Sequence, residues 1–116
     1  MKTIIAGGRD FSNTAYYTLM AGCLKDIPWE ITEVVSGGAR GADRMGERWA
    51  DEYMIPIKLF PADWKTYPKA AGPIRNKQMA EYADALVAFW DGKSRGTKNM
   101  IEIATNKGLR VKVFEY

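Results

Sequence analysis

The sequence contains no histidine and only one cysteine, Cys23. The first absence excludes any mechanism that relies on an imidazole as base or metal ligand. The second excludes an intramolecular disulfide, and together they leave no zinc site, so no metal is expected. Cys23 falls among apolar helix positions and is expected to be a small core residue. No apolar run approaches the roughly 20 residues of a membrane span, and no signal-peptide hydrophobic region follows Met1. A cytoplasmic protein without a membrane partner is therefore expected. No block of five like charges occurs. The 17 basic residues exceed the 14 acidic ones by a formal +3, spread along the chain. That balance tolerates an anionic ligand but does not by itself argue for nucleic acid.

The 116 residues, 47% hydrophobic and 27% charged, suit one globular domain spanning 1–116. The apolar run Thr3–Ala6 predicts a buried strand ending at Gly7-Gly8, with Asp10 and Ser12 as candidate caps for the next helix. Helical spacing of Tyr16, Leu19, Met20, Cys23 and Leu24 predicts a helix over 13–25. Strands are expected over 31–35, 55–60, 85–90 and 110–114. Further helices are expected over 42–53, 73–82 and 99–106, with Pro73 in a first turn and Gly108 as a C-terminal stop. Strict alternation of five strands with four helices predicts an α/β fold. It is a Rossmann-like three-layer sandwich: a five-stranded, mainly parallel sheet with helices on both faces. Ligands of such sheets sit beyond the carboxyl ends of the strands, near the switch in strand order.

Three polar, glycine-bearing loops fall where strand gives way to helix. The central one, Ser36-Gly37-Gly38-Ala39-Arg40-Gly41-Ala42-Asp43, allows close backbone approach to a ligand and opens a helix whose free N–H groups attract an anion. Ser36 can add a hydroxyl and Arg40 a charge. Asp43 can cap the helix or accept from a ribose hydroxyl. The segment is neither the Gly-x-Gly-x-x-Gly fingerprint nor a Walker motif. In Gly7-Gly8-Arg9-Asp10-Phe11, Gly8 can admit the ligand and Arg9 can face its phosphate; Phe11 fits a core plug. Arg75 can hold a phosphate bidentately, and Asn76 can bond a base or sugar. In the third loop Ser94, Gly96 and Thr97 can cradle a phosphate or ribose. Asp91 is either an acid/base group or a turn residue. Trp64 and Tyr67, on the long loop 61–72, either stack on a base or pin the loop. Trp49, four residues from both Met45 and Tyr53, belongs to a core or an interface face.

Taken together, Gly7-Gly8-Arg9-Asp10-Phe11, Val34 to Asp43, Gly72-Pro73-Ile74-Arg75-Asn76 and Asp91-Gly92-x-Ser94-x-Gly96-Thr97 resemble the SLOG superfamily. More narrowly, they are similar to its small stand-alone YspA-like members of bacteria and phages. The superfamily includes the LONELY GUY phosphoribohydrolases and the Rossmann-like domain of DNA-processing protein A. The resemblance implies binding of a nucleotide or nucleotide-derived molecule. It carries that role onto Gly8, Ser36, Gly37, Gly38, Arg40, Gly41, Asp43, Arg75, Asn76, Gly96 and Thr97. In the LONELY GUY motif Pro-Gly-Gly-x-Gly-Thr-x-x-Glu, the Glu works with an upstream Arg to split an N-glycosidic bond. Arg75 matches that Arg. Met100 occupies the Glu position, and Glu102 follows two residues later.

Three functions stay open on these residues. The chain is a sensor or binding module for a nucleotide-derived ligand, with no certain cofactor. Alternatively it is a nucleoside-phosphate hydrolase in which Arg75 holds phosphate while Asp91 or Asp43 handles the proton. The third, not favoured, is a DNA-binding module. The resemblance also implies self-association, for which the Met45–Trp49–Tyr53 face is a candidate.

Overall fold

Three of the five strands, over 2–7, 33–36 and 85–90, carry short apolar runs, and each buries both faces in the middle of a parallel sheet. The computed structural model describes residues 1–116. The order is β1 (Lys2–Gly7), α1 (Thr14–Lys25), β2 (Glu33–Ser36), α2 (Ala42–Glu52), β3 (Ile57–Leu59), α3 (Ala71–Tyr82), β4 (Ala85–Trp90), α4 (Arg95–Lys107) and β5 (Arg110–Glu115). The sheet order is β3-β2-β1-β4-β5, and every pairing is parallel. The α/β, Rossmann-like expectation is met.

Side chains alternate across the central strands and so build two cores. Ile5, Val87 and Phe89 face one way and pack with Phe11 from the loop after β1 and with Met20, Leu24, Met45 and Trp49 from α1 and α2. Ile4, Ala6, Leu86 and Ala88 face the other way, against Met79, Ala80, Met100 and Ala104 from α3 and α4. Connections from β1 run outward through β2 to β3, then return past β1 to β4. Crossovers of one hand that reverse direction must put their helices on opposite faces, which accounts for the two helical layers. The reversal falls between β1 and β4, so their carboxyl ends form the switch point.

Several boundaries differ from the sequence expectation. The first helix is capped by Asn13, whose side chain accepts from the Tyr16 amide at 2.8 Å, not by Asp10 or Ser12. The last helix starts at Arg95 rather than 99, because Ser94 caps it. Gly96 and Thr97 therefore belong to its first turn. The third strand shrinks to Ile57–Leu59 at the sheet edge. Met45 and Trp49 are buried core residues, so that helix face is not a free interface; only Tyr53 projects into solvent. Phe11 is fully buried, stacked on Tyr16 and tilted against Phe89. Cys23 is half-buried against the first core. No helix is long and apolar enough to cross a membrane.

Candidate functional site

Beyond the carboxyl ends of β1 and β4 lies an open cleft of about 720 Å³. It gathers Gly7, Gly8, Arg9 and Asp10 from the first loop and Ala39 and Asp43 from the second. Arg75 and Asn76 come from α3, and Asp91, Ser94, Gly96 and Thr97 from the third loop and α4. Four segments far apart in sequence thus converge on one place. Ser36, Gly37, Gly38, Arg40, Gly41 and Ala42 do not line it. Gly37, Gly38 and Arg40 instead face an adjoining hollow of about 420 Å³, together with Arg44. Ala39, Arg9, Arg75 and Trp64 form the wall common to both.

The central loop departs in part from the expected anion cradle, because the protein satisfies the Gly38, Ala39 and Ala42 amides with its own acceptors. Ser36 is fully buried. Its hydroxyl donates to Glu47 Oε2 at 2.7 Å and accepts from the Gly38 amide at 3.1 Å, so it has turned away from the cleft toward α2. The Ala42 amide donates to the Gly8 carbonyl at 3.1 Å, which closes the start of α2. Gly41 makes this approach possible: its φ is +80°, and a Cβ there would stand 2.2 Å from the Gly8 carbonyl oxygen. The Asp43 carboxylate takes the Ala39 amide at 3.3 Å. Gly41 and Ala42 therefore hold two loops together from below the surface.

Arg75 braces the same loop. Its guanidinium donates to the Gly37 carbonyl at 2.8 Å and to Asn76 Oδ1 at 3.0 Å. Gly37 has no side chain where that guanidinium lies; a Cβ would be 2.2 Å from Nη1. Partial burial lowers the Arg75 pKa, the Asp43 carboxylate offsets this, and the like charge of Arg9 lowers it further. Burial pushes Asp43 up to about 6, against the hold of the Ala39 amide and Arg75. Asn76 is buried, and its amide nitrogen donates to Asn99 Oδ1 at 2.9 Å. Its main task is thus to tie α3 to α4, with both ends of the amide engaged.

The third loop differs. Asp91 Oδ1 accepts from the Lys93 and Ser94 amides, each at 2.8 Å, and those bonds lower its pKa. It is a turn residue at the cleft, anionic at neutral pH and so a poor proton donor. Ser94 Oγ accepts from the Thr97 amide at 3.4 Å. The Arg95 and Gly96 amides donate to nothing in the protein. Both helix starts keep free donors, the Asp43 and Arg44 amides at α2 and the Arg95 and Gly96 amides at α4, but only at α4 is the space beside them free of the first loop. Met100, which is buried, forms part of the cleft floor where the LONELY GUY pattern has its Glu. Glu102 is exposed and pairs with Lys98 at 3.9 Å.

Sequence reasoning missed Arg95, Asn99, Arg44 and Glu47. Glu47 sits one helical turn after Asp43, which is a readable signal for a second side chain under the loop. Arg95 was hidden by a helix start placed four residues late. Trp64 lines the cleft wall, close over Gly72, whereas Tyr67 lies outside it. No three Cys, Asp or Glu side chains come together as a metal site.

The all-parallel sheet, doubly wound about a cleft at its switch point, defines a Rossmann-like α/β domain. The chain belongs to the YspA, cpYpsA-related SLOG family (YAcAr), whose model matches residues 1–67. It is also 34% identical over 117 residues to the "Gene 61 protein" of Mycobacterium phage D29, covering 95% of this chain and 93% of that protein. No solved structure matches.

Proposed function

We propose that the protein binds a nucleotide or nucleotide-derived phosphate ligand in the main cleft and acts as a binding module or sensor. One observation carries the reading. The free Arg95 and Gly96 amides at the start of α4 open onto the same cleft as Arg9, whose side chain makes no ion pair in the protein. Oriented amides and guanidinium groups in a hollow are what a phosphate needs. Ala6, Met79, Met100 and Trp64 supply apolar wall for a base or sugar. Family membership points to the same ligand class. Ligand contacts are assigned to Gly7, Gly8, Arg9, Asp10, Ala39, Asp43, Arg75, Asn76, Asp91, Ser94, Gly96 and Thr97, with Ser36, Gly41 and Ala42 supporting them from beneath. The reading includes a cytoplasmic, self-associating protein, which light scattering on the purified chain checks.

Calorimetric titration with AMP, ADP-ribose, NAD and cyclic dinucleotides tests it. At least one should bind the wild type, and Arg75→Gln should weaken that binding about 30-fold, the equivalent of about 2 kcal/mol for a charge-assisted hydrogen bond. Arg9→Ala, at an exposed position, gives the same test without touching the loop brace. If no nucleotide binds, the proposal is wrong.

A second reading, N-glycosidic hydrolysis, is favoured by one observation: a carboxyl with a pKa of about 6, Asp43, lines the cleft beside Arg75. A group poised near neutrality suits proton transfer. Chromatography of nucleoside monophosphates incubated with the protein should then show free base, and Asp43→Asn should abolish it. Absence of free base ends this second reading and leaves the first untouched.

A further inference from the structure

The main cleft and its side hollow differ sharply in charge. The main cleft has three arginines, Arg9, Arg75 and Arg95, and three aspartates, Asp10, Asp43 and Asp91. The side hollow has four arginines, Arg9, Arg40, Arg44 and Arg75, and no acidic residue. Arg75 has the Asp43 carboxylate beside it, but Arg9, Arg40 and Arg44 make no ion pair: those of the chain are Arg48–Glu52 and Lys98–Glu102. The acids nearest in sequence are committed, Asp43 to the Ala39 amide and Glu47 to the Ser36 hydroxyl. Four guanidinium groups around one hollow repel each other unless an anion sits between them, and a planar guanidinium holds a phosphate oxygen pair bidentately. The two spaces share a wall of Arg9, Ala39, Trp64 and Arg75, so one ligand can occupy both without crossing the chain.

We infer that the side hollow is a second phosphate subsite. The ligand of the main cleft, on the reading proposed above, therefore carries a second phosphate group set apart from the first, as in a nucleoside bisphosphate or a 5′-phosphorylated dinucleotide. The balanced cleft takes the nucleoside and one phosphate; the all-arginine hollow takes the other. A hollow of about 420 Å³ has room for a phosphate and its attached sugar. A nucleic-acid strand is the weaker fit, because the cations line a hollow and the neighbouring cleft is charge-balanced.

Calorimetric titrations at one fixed ionic strength separate the possibilities. The ligands are AMP, adenosine 3′,5′-bisphosphate and the dinucleotide pApA, with the guanine series alongside and a ten-residue oligothymidylate as the strand. The proteins are the wild type, Arg75→Gln and the double variant Arg40→Gln/Arg44→Gln, whose changed positions are both exposed. The wild type should bind a two-phosphate ligand at least tenfold tighter than the matching monophosphate. In the double variant that preference should collapse toward one. A wild type without the preference, or a double variant that keeps it, overturns the second subsite and leaves the main cleft standing. A wild type that binds none of the small ligands overturns both. Tighter binding of the oligothymidylate than of every small ligand, lost in the double variant, overturns the small-molecule assignment in favour of a strand.

Discussion

Two loop–helix junctions at the carboxyl edge of the sheet are built from similar residues, and the protein uses them for opposite purposes. At α2 the amides of Gly38, Ala39 and Ala42 are taken by Ser36, Asp43 and the Gly8 carbonyl. At α4 the Lys93 and Ser94 amides are taken by Asp91 and the Thr97 amide by Ser94, while the Arg95 and Gly96 amides face the cleft unpartnered. Glycine content does not distinguish them. The difference lies in what surrounds each glycine: backbone 2.2 Å from the Cβ position of Gly41, and nothing within 4 Å of that of Gly96. A glycine-rich loop is therefore a ligand loop only where the space beside its glycines is left unused by the fold.

The largest effect that would break this comparison is at Gly41. Its φ of +80° and ψ of −129° are open to glycine and almost no other residue. An alanine there adds backbone strain to a collision with the Gly8 carbonyl, a combined cost of about 4 kcal/mol. For a chain of this size that lowers Tm by roughly 15 °C. A thermal melt of Gly41→Ala close to the wild type would show that the α2 junction is not held by this approach.

A pH series on the same junction gives the next largest effect. Asp43 has an ordinary pKa of 3.8 when exposed, and burial raises it to about 6 in the folded protein. An acid raised on folding binds more protons in the native state than in the unfolded one. Its contribution is fully present below pH 3.8 and is lost as pH rises through about 6. The two-unit span corresponds to about 3 kcal/mol. Denaturant melts should therefore show the stability of Asp43→Asn gaining on the wild type between pH 4 and pH 8. Parallel pH profiles for the two proteins would mean that the Asp43 carboxyl is not desolvated. Affinity for an anionic ligand should also fall less steeply with pH in the variant, because an ionised Asp43 repels phosphate.

Period and alternation make the architecture legible in the sequence itself. Ile4 and Ile5 sit in a run too apolar for an exposed strand, and strands alternating with helices admit little but a parallel sheet. The switch point followed from that, and with it the convergence of Arg9, Arg75 and Gly96 on one edge. What stayed hidden was tertiary. Nothing about Ser36 as a residue says that Glu47 will claim its hydroxyl, and nothing about Gly37 says that Arg75 will lie where a Cβ would stand. Asp91 offered two readings that only the Lys93 and Ser94 amides could decide. The α4 boundary was misplaced because Gly96 and Thr97 look like loop residues until Ser94 is recognised as a cap. The side hollow was invisible for a different reason. Arg9, Arg40, Arg44 and Arg75 are scattered through the sequence, and the +3 formal charge hides their meeting.

The smallest expected effect on stability is the one that sharpens the comparison most. A Cβ at Gly96 meets nothing in the protein and lies in the first turn of a 13-residue helix. Replacing glycine by alanine where the backbone is already helical removes freedom from the unfolded chain, so Gly96→Ala should leave stability unchanged or raise it by about 0.5 kcal/mol. The new methyl group lines the cleft beside the free amides, so the same variant should weaken ligand binding while its melt improves. That pairing separates the two junctions. At α2 the glycine serves the fold, and its loss appears in the melt; at α4 it serves the cleft, and its loss appears only in the titration. If Gly96→Ala binds every nucleotide as tightly as the wild type, the start of α4 is not where the ligand's phosphate sits.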